Sequence, residues 1–177
     1  EFILHTSDDD NAGKSHSLLL RAGDFVLKGA GRDKTTIVMQ DPNRPNSAQL
    51  YSSPVMIELK HNSGLKKLTD VTADAEKGSF SVEVASTSGI AAGDWVCLSV
   101  QNNDKDMIAE ELHPHKLEPG MSDLASNGVR VVDYHRVVSI SGNRLTFKEP
   151  LMHKVASKWK WEVSQYPHYE NVGVEDI

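Results

Sequence analysis

The chain has 177 residues, with 19 Lys and Arg against 25 Asp and Glu and a formal net charge of −6. That balance provides no basic field to hold nucleic acid or an anionic membrane, and it disfavours a strongly anionic glycan unless a local cationic groove or a divalent cation intervenes. No apolar run reaches the ~20 residues of a membrane span, and the lone Cys97 excludes an internal disulfide.

Phe2-Ile3-Leu4 reads as a strand already under way. With no leader segment ahead of it, and Val174-Glu175-Asp176-Ile177 strand-like at the other end, the sequence reads as an excerpt of a longer protein. Asp8-Asp9-Asp10-Asn11 collects oxygen ligands that suit Ca²⁺. It lacks the spacing and the Gly of an EF-hand, and a solvated corner loop is the plainer expectation. No other cofactor is expected.

Residues 17–20, 25–27 and 36–39 are very short apolar strands, separated by corners of Gly, Asp, Arg and Lys. A helix needs a longer 3.6-residue pattern, and hairpins favour two-residue turns. A chain that turns every few residues and buries a Leu or β-branched pair each time predicts a wound coil. Gly29-Ala30-Gly31-Arg32-Asp33-Lys34-Thr35 is no phosphate loop, because Asp33 stands where the Gly before Lys-Thr is required. Nor does a third Gly or a helix follow, as a dinucleotide site requires. Gly29 and Gly31 read as corner residues needing positive φ or close backbone approach.

The stretch from Gly23 to Thr35 resembles the first-coil motif of pectate-lyase-like β-helix proteins that act on polysaccharides. His168-Tyr169-Glu170-Asn171-Val172-Gly173-Val174-Glu175-Asp176-Ile177 is similar to the coil start of a Bacteroidetes group of β-helix proteins known as the DUF4955 type. Residues 132–151 fit the same group. The resemblance implies a secreted, periplasmic or cell-surface protein that binds a complex polysaccharide. It also implies cleavage by the parent, as lyase or glycoside hydrolase. The alternative is a non-catalytic glycan-binding, adhesive or tailspike-like β-helix.

The expected fold is all-β: N-terminal coils of a right-handed parallel β-helix, residues 1–68 and 159–177, with a small antiparallel β domain inserted at 69–158. Within the coils, Asp41-Pro42-Asn43-Arg44-Pro45-Asn46-Ser47 is a surface loop by its turn chemistry. Lys60 and His61 close a strand and have the chemistry of a lyase base, although their partners would come from coils outside this sequence.

In the insertion, Gly78-Ser79-Phe80-Ser81-Val82-Glu83-Val84 alternates as a half-buried strand should, and 95–100 is a strand carrying Cys97 as a small buried residue. Residues 106–112 are expected to form one or two helical turns packed against something. His113-Pro114-His115 puts two imidazoles on one side of an extended segment, a metal site only if a third ligand joins them; otherwise it is a polar loop or a sugar contact. Strands 129–140 and 144–147 are expected to pair around Ser141-Gly142-Asn143. Asp133 and His135 share a face, which suits either a carboxylate-oriented base or a structural pair. Trp159, Trp161 and Tyr166 form the aromatic cluster at the expected return to the coil, either a sugar platform or packing.

Overall fold

The computed structural model describes residues 1–4, 18–39, 55–61 and 63–177. The Asp8-Asp9-Asp10-Asn11 cluster and the Pro/Asn loop from Asp41 lie outside the described residues. The chain is mostly β. Its first strands are β1 (Phe2–Leu4), β2 (Leu18–Leu20), β3 (Phe25–Lys28), β4 (Ile37–Met39) and β5 (Ile57–Leu59). Then come β6 (Lys66–Asp70), β7 (Ser81–Glu83), β8 (Trp95–Asn102), α1 (Lys105–Leu112) and α2 (Ser122–Asn127). Last are β9 (Val129–Ser141), β10 (Arg144–Phe147), β11 (Glu162–Gln165) and β12 (Val172–Glu175). No helix among the described residues is long and apolar enough to cross a membrane. Two compact units result, Glu1–Ser63 with His168–Ile177, and Gly64–Pro167.

Among the described residues the first unit holds three two-stranded sheets, each parallel: β1 with β4, β2 with β5, and β3 with β12. Parallel partners cannot be joined by a tight hairpin, so the chain must travel before it pairs. Phe25 through Lys28 lie opposite Val172 through Glu175 in unbroken register. Backbone amides continue the ladder past both ends, Asp24 N–H to Glu170 O at 2.9 Å and Gly29 N–H to Glu175 O at 2.9 Å. Gly29 must be glycine here, since an added Cβ would collide with the Asp176 carbonyl. Gly31 holds φ +138°, and its carbonyl accepts from the amides of Lys34 and Thr35. The phosphate-loop lookalike is thus a corner closed on its own backbone.

The second unit is a six-stranded antiparallel sheet in the order β6-β11-β8-β9-β10-β7. A bridge between Val71 and Val84 links the chain beside its two outer strands, so the sheet curls toward a barrel and its edges are shortened. Strand β9 is long enough to serve two neighbours, pairing with β8 over 129–136 and with β10 thereafter. The hairpin around Gly142 (φ +60°) forms where the turn chemistry places it.

Alternate residues of these strands, Val96, Leu98, Val131, Val137, Leu145 and Val163 among them, fill one apolar core with Phe147, Leu151 and Trp161. Each such side chain contributes roughly 1.5–3 kcal/mol by leaving water. Asp104 starts α1 by accepting from the amides of Asp106 (2.9 Å) and Met107 (3.2 Å), and Met107 is driven into that core.

The expected coil strand at 159–163 is not parallel. Residues 157–159 form a 3₁₀ turn, Lys160 adopts a left-handed φ of 64°, and β11 then runs antiparallel between β6 and β8. Residues 66–68, also expected in a coil, belong to β6 of the same sheet. The physical reason is pairing: β6 and β11 supply each other's backbone partners, while Trp161 and Val163 bury on the core side.

Candidate functional site

Alternation along β9 sends Val131, His135 and Val137 into the core and Tyr134 to the opposite face, where Tyr134 is 45% exposed. Tyr134 lies opposite Cys97, which in turn lies opposite Ser164. Two residues beyond Ser164, Tyr166 brings its ring to 4.3 Å from Tyr134, centroid to centroid, at 34°. The two phenol rings make an aromatic ledge on a face stiffened by three hydrogen-bonded strands. Burial pushes the Tyr134 phenol up, with Cys97 and Tyr166 adding to the effect against Arg130. Its hydroxyl therefore stays protonated at physiological pH and both donates and accepts. Beneath the ledge, burial also pushes the Cys97 thiol up, which marks an inert packing residue.

Of the aromatics expected as a sugar platform, Tyr166 alone occupies such a position. Trp161 is fully buried and Trp159 nearly so, both inside the core. The Trp159 indole donates to Asp104 (3.2 Å), and its carbonyl accepts from Asn102 (3.0 Å). Neither indole offers a face to a ligand. Residues 157–159 turn as a 3₁₀ helix, so Trp159 and Trp161 do not share a strand face. Tyr134 belongs to the ledge but was not singled out from the sequence. Its signal was only its outward parity within a strand, and its partner lies far along the chain.

Asp133 and His135 do share a face, with His135 Nε2 3.4 Å from Asp133 Oδ2. The imidazole is 1% exposed, stacked on Phe147 at 4.6 Å and 18°, and off the hydrogen-bond line to Asp133. Both ring nitrogens lack a hydrogen-bond partner among the described residues. His135 is thus sealed from solvent, whereas the Asp133 side chain is 19% exposed.

Lys60 is exposed and pairs with Glu58 at 3.6 Å. His61 accepts from the Ser63 amide (3.1 Å) and rests against the Tyr169 ring, 4.8 Å away. His113 and His115 are both exposed, in the loop that follows α1. Among the described residues no three His, Cys, Asp or Glu side chains gather as a metal set, so no third ligand joins them.

Comparison with protein-family models gives no match, and comparison with curated proteins gives none. Solved structures do show likeness. The tailspike gp61 of Pseudomonas phage phi297 aligns over 90% of this chain and 22% of its own, with 17% identity and a TM-score of 0.53. This is a likeness of fold. The tailspike gp49 of Pseudomonas phage LKA1 gives 0.45 at 13% identity over 97% of this chain and 24% of that one. The Gp54 tailspike of Acinetobacter baumannii phage AP22, solved with A. baumannii capsular saccharide, gives 0.44 at 19% identity over 63% and 17%. The chain spans about a fifth of the length of these tailspikes.

Proposed function

We propose that this chain is a section of a tailspike-like β-helix protein that binds polysaccharide outside the cell, and that its antiparallel unit contributes an aromatic contact surface. In this reading the three parallel pairs are faces of successive right-handed coils. The antiparallel unit is an insertion looped out between two of them. The likeness of fold to the phi297 tailspike supports the architecture. The resemblance to pectate-lyase-like and Bacteroidetes β-helix proteins rests on the two sequence motifs alone.

The observation that carries glycan binding is the Tyr134–Tyr166 ledge. Aromatic faces stack on the C–H faces of sugar rings, and their phenol hydroxyls reach ring substituents; residues with an apolar body and a polar tip suit such wet contacts. Cleavage by the parent protein has less behind it. His135 is sealed in the core, and Lys60 lies on the exposed surface beside Glu58.

The test is titration of the protein with a panel of neutral and uronate-rich polysaccharides, followed calorimetrically and by tyrosine fluorescence, while absorbance and reducing ends report any cleavage. Saturable binding that Tyr166→Ala and Tyr134→Ala each weaken roughly tenfold, a loss of about 1.4 kcal/mol, supports the reading. Binding that ignores both substitutions, or no binding to any member, overturns it.

A further inference from the structure

A second feature of the antiparallel unit lies apart from the ledge. The helices α1 and α2, the start of β9 and the segment after β10 border an open cavity of about 360 Å³ on the surface. That is near the lower end of small-molecule sites, roughly 300–1,000 Å³, and suits one ring rather than a chain. Its lining divides by chemistry. Leu112, Leu124 and Val129 supply an apolar wall, while Glu111 and His153 supply polar groups.

Glu111 Oε2 and His153 Nδ1 lie 2.7 Å apart, with only 13% of the Glu111 side chain exposed. A carboxylate accepts and does not donate, so the bonded proton sits on Nδ1. This bond fixes the ring orientation and leaves Nε2 without a partner among the described residues. The largely buried Glu111 carboxylate in this lining disfavours an anion. A wall of aliphatic side chains facing a mixed set of donors and acceptors matches a ring with C–H faces and hydroxyl edges.

We infer that this cavity is a subsite for a single neutral pyranose unit, a chain end or side branch of the glycan, with His153 oriented by Glu111 to meet a sugar hydroxyl. The inference rests on the glycan reading for its ligand class but uses none of the ledge residues.

The experiment follows the His153 ring resonances by NMR in the whole chain during titration with neutral hexoses and N-acetylhexosamines, and separately with hexuronates. Saturable shifts with at least one neutral sugar, and weaker ones with its uronate, are expected. Leu124→Trp, which fills the cavity, is expected to abolish the response. Glu111→Gln is expected to weaken it roughly tenfold, and covers the case in which the Trp variant does not fold. Absence of a saturable shift with every neutral sugar overturns the inference. So does a response that survives Glu111→Gln unchanged, or a preference for uronates. Tyr166→Ala separates the two readings: it is expected to leave the His153 response intact while weakening polymer binding. A His153 response without any polymer binding sinks the ledge and leaves the cavity standing.

Discussion

Asn171 donates a side-chain hydrogen bond of 2.7 Å to the carboxylate of Asp24, 147 residues earlier, and the two residues share a left-handed backbone, φ 54° and 51°. The same corner is therefore built twice and stacked, one copy on the other. Asn and Asp are the non-glycine residues that best tolerate this conformation, and their side chains are short enough to bond along the stack.

Asn171→Ala loses both the bond and the tolerance for positive φ, and is expected to destabilise the first unit by about 1–2 kcal/mol. Asn171→Gly, which keeps the backbone freedom, should lose about half as much. Hydrogen exchange at the Phe25 and Gly29 amides, which bond to Asn171 and Glu175 carbonyls, reads this out. Equal effects of Ala and Gly would contradict the argument.

The aromatic residues near 159–166 should separate by substitution. Trp161→Ala empties a fully buried site and is expected to cost about 3–5 kcal/mol, seen in thermal unfolding by near-UV circular dichroism. Tyr166→Ala, on a half-exposed ring, should stay within about 1 kcal/mol of the parent while weakening glycan binding.

Gly128 and Gly142 both have positive φ, 80° and 60°. A Cβ at Gly128 would strike the Asn102 carbonyl, whereas one at Gly142 meets open space. Gly142→Ala thus carries only the backbone penalty, about 1 kcal/mol, and Gly128→Ala is expected to exceed it by at least as much again. Denaturant midpoints of the two variants provide the comparison.

His135→Phe is expected to leave stability unchanged or raise it by about 1 kcal/mol. It keeps the stack on Phe147 and removes two buried nitrogens that have no hydrogen-bond partner among the described residues. Glycan binding should not change. A marked loss of binding or of any cleaving activity would return the Asp133–His135 pair to a functional role.

Two carboxylates tie down the turn that carries Trp159, and both make the second unit acid-sensitive. The Ser157 amide (2.8 Å) and hydroxyl (2.7 Å) donate to Asp74 and hold its carboxyl below the usual aspartate value. Burial pushes Asp104 up, but the amides of Met107 and Asp106 and the Trp159 indole outweigh it, so it too is held low. Groups with a lowered folded pKa contribute stability above the unfolded value and lose it as pH falls through the folded one. Melting temperature should therefore be flat at neutral pH and fall below about pH 4. Asp74→Asn should lower it at neutral pH and flatten the acid slope. An unchanged slope in both Asp74→Asn and Asp104→Asn would refute the assignment. The exposed Lys158–Asp106 pair (2.6 Å) should matter little, since solvent screens it.

Much of the local conformation was legible in the residues themselves. The corner at Gly29 and Gly31, the hairpin at Gly142 and the buried Cys97 follow from backbone freedom, turn chemistry and strand parity, all set within a few residues. Tertiary pairing decided the rest. Nothing near Trp161 announces that β6 and β8 will flank its strand and turn the indole inward. Nothing near Tyr134 announces Tyr166, nor near Glu111 announces His153. The same holds for the match of Asp24 to Asn171, because which distant segments meet depends on the free energy of the whole packed sheet and not on any local preference.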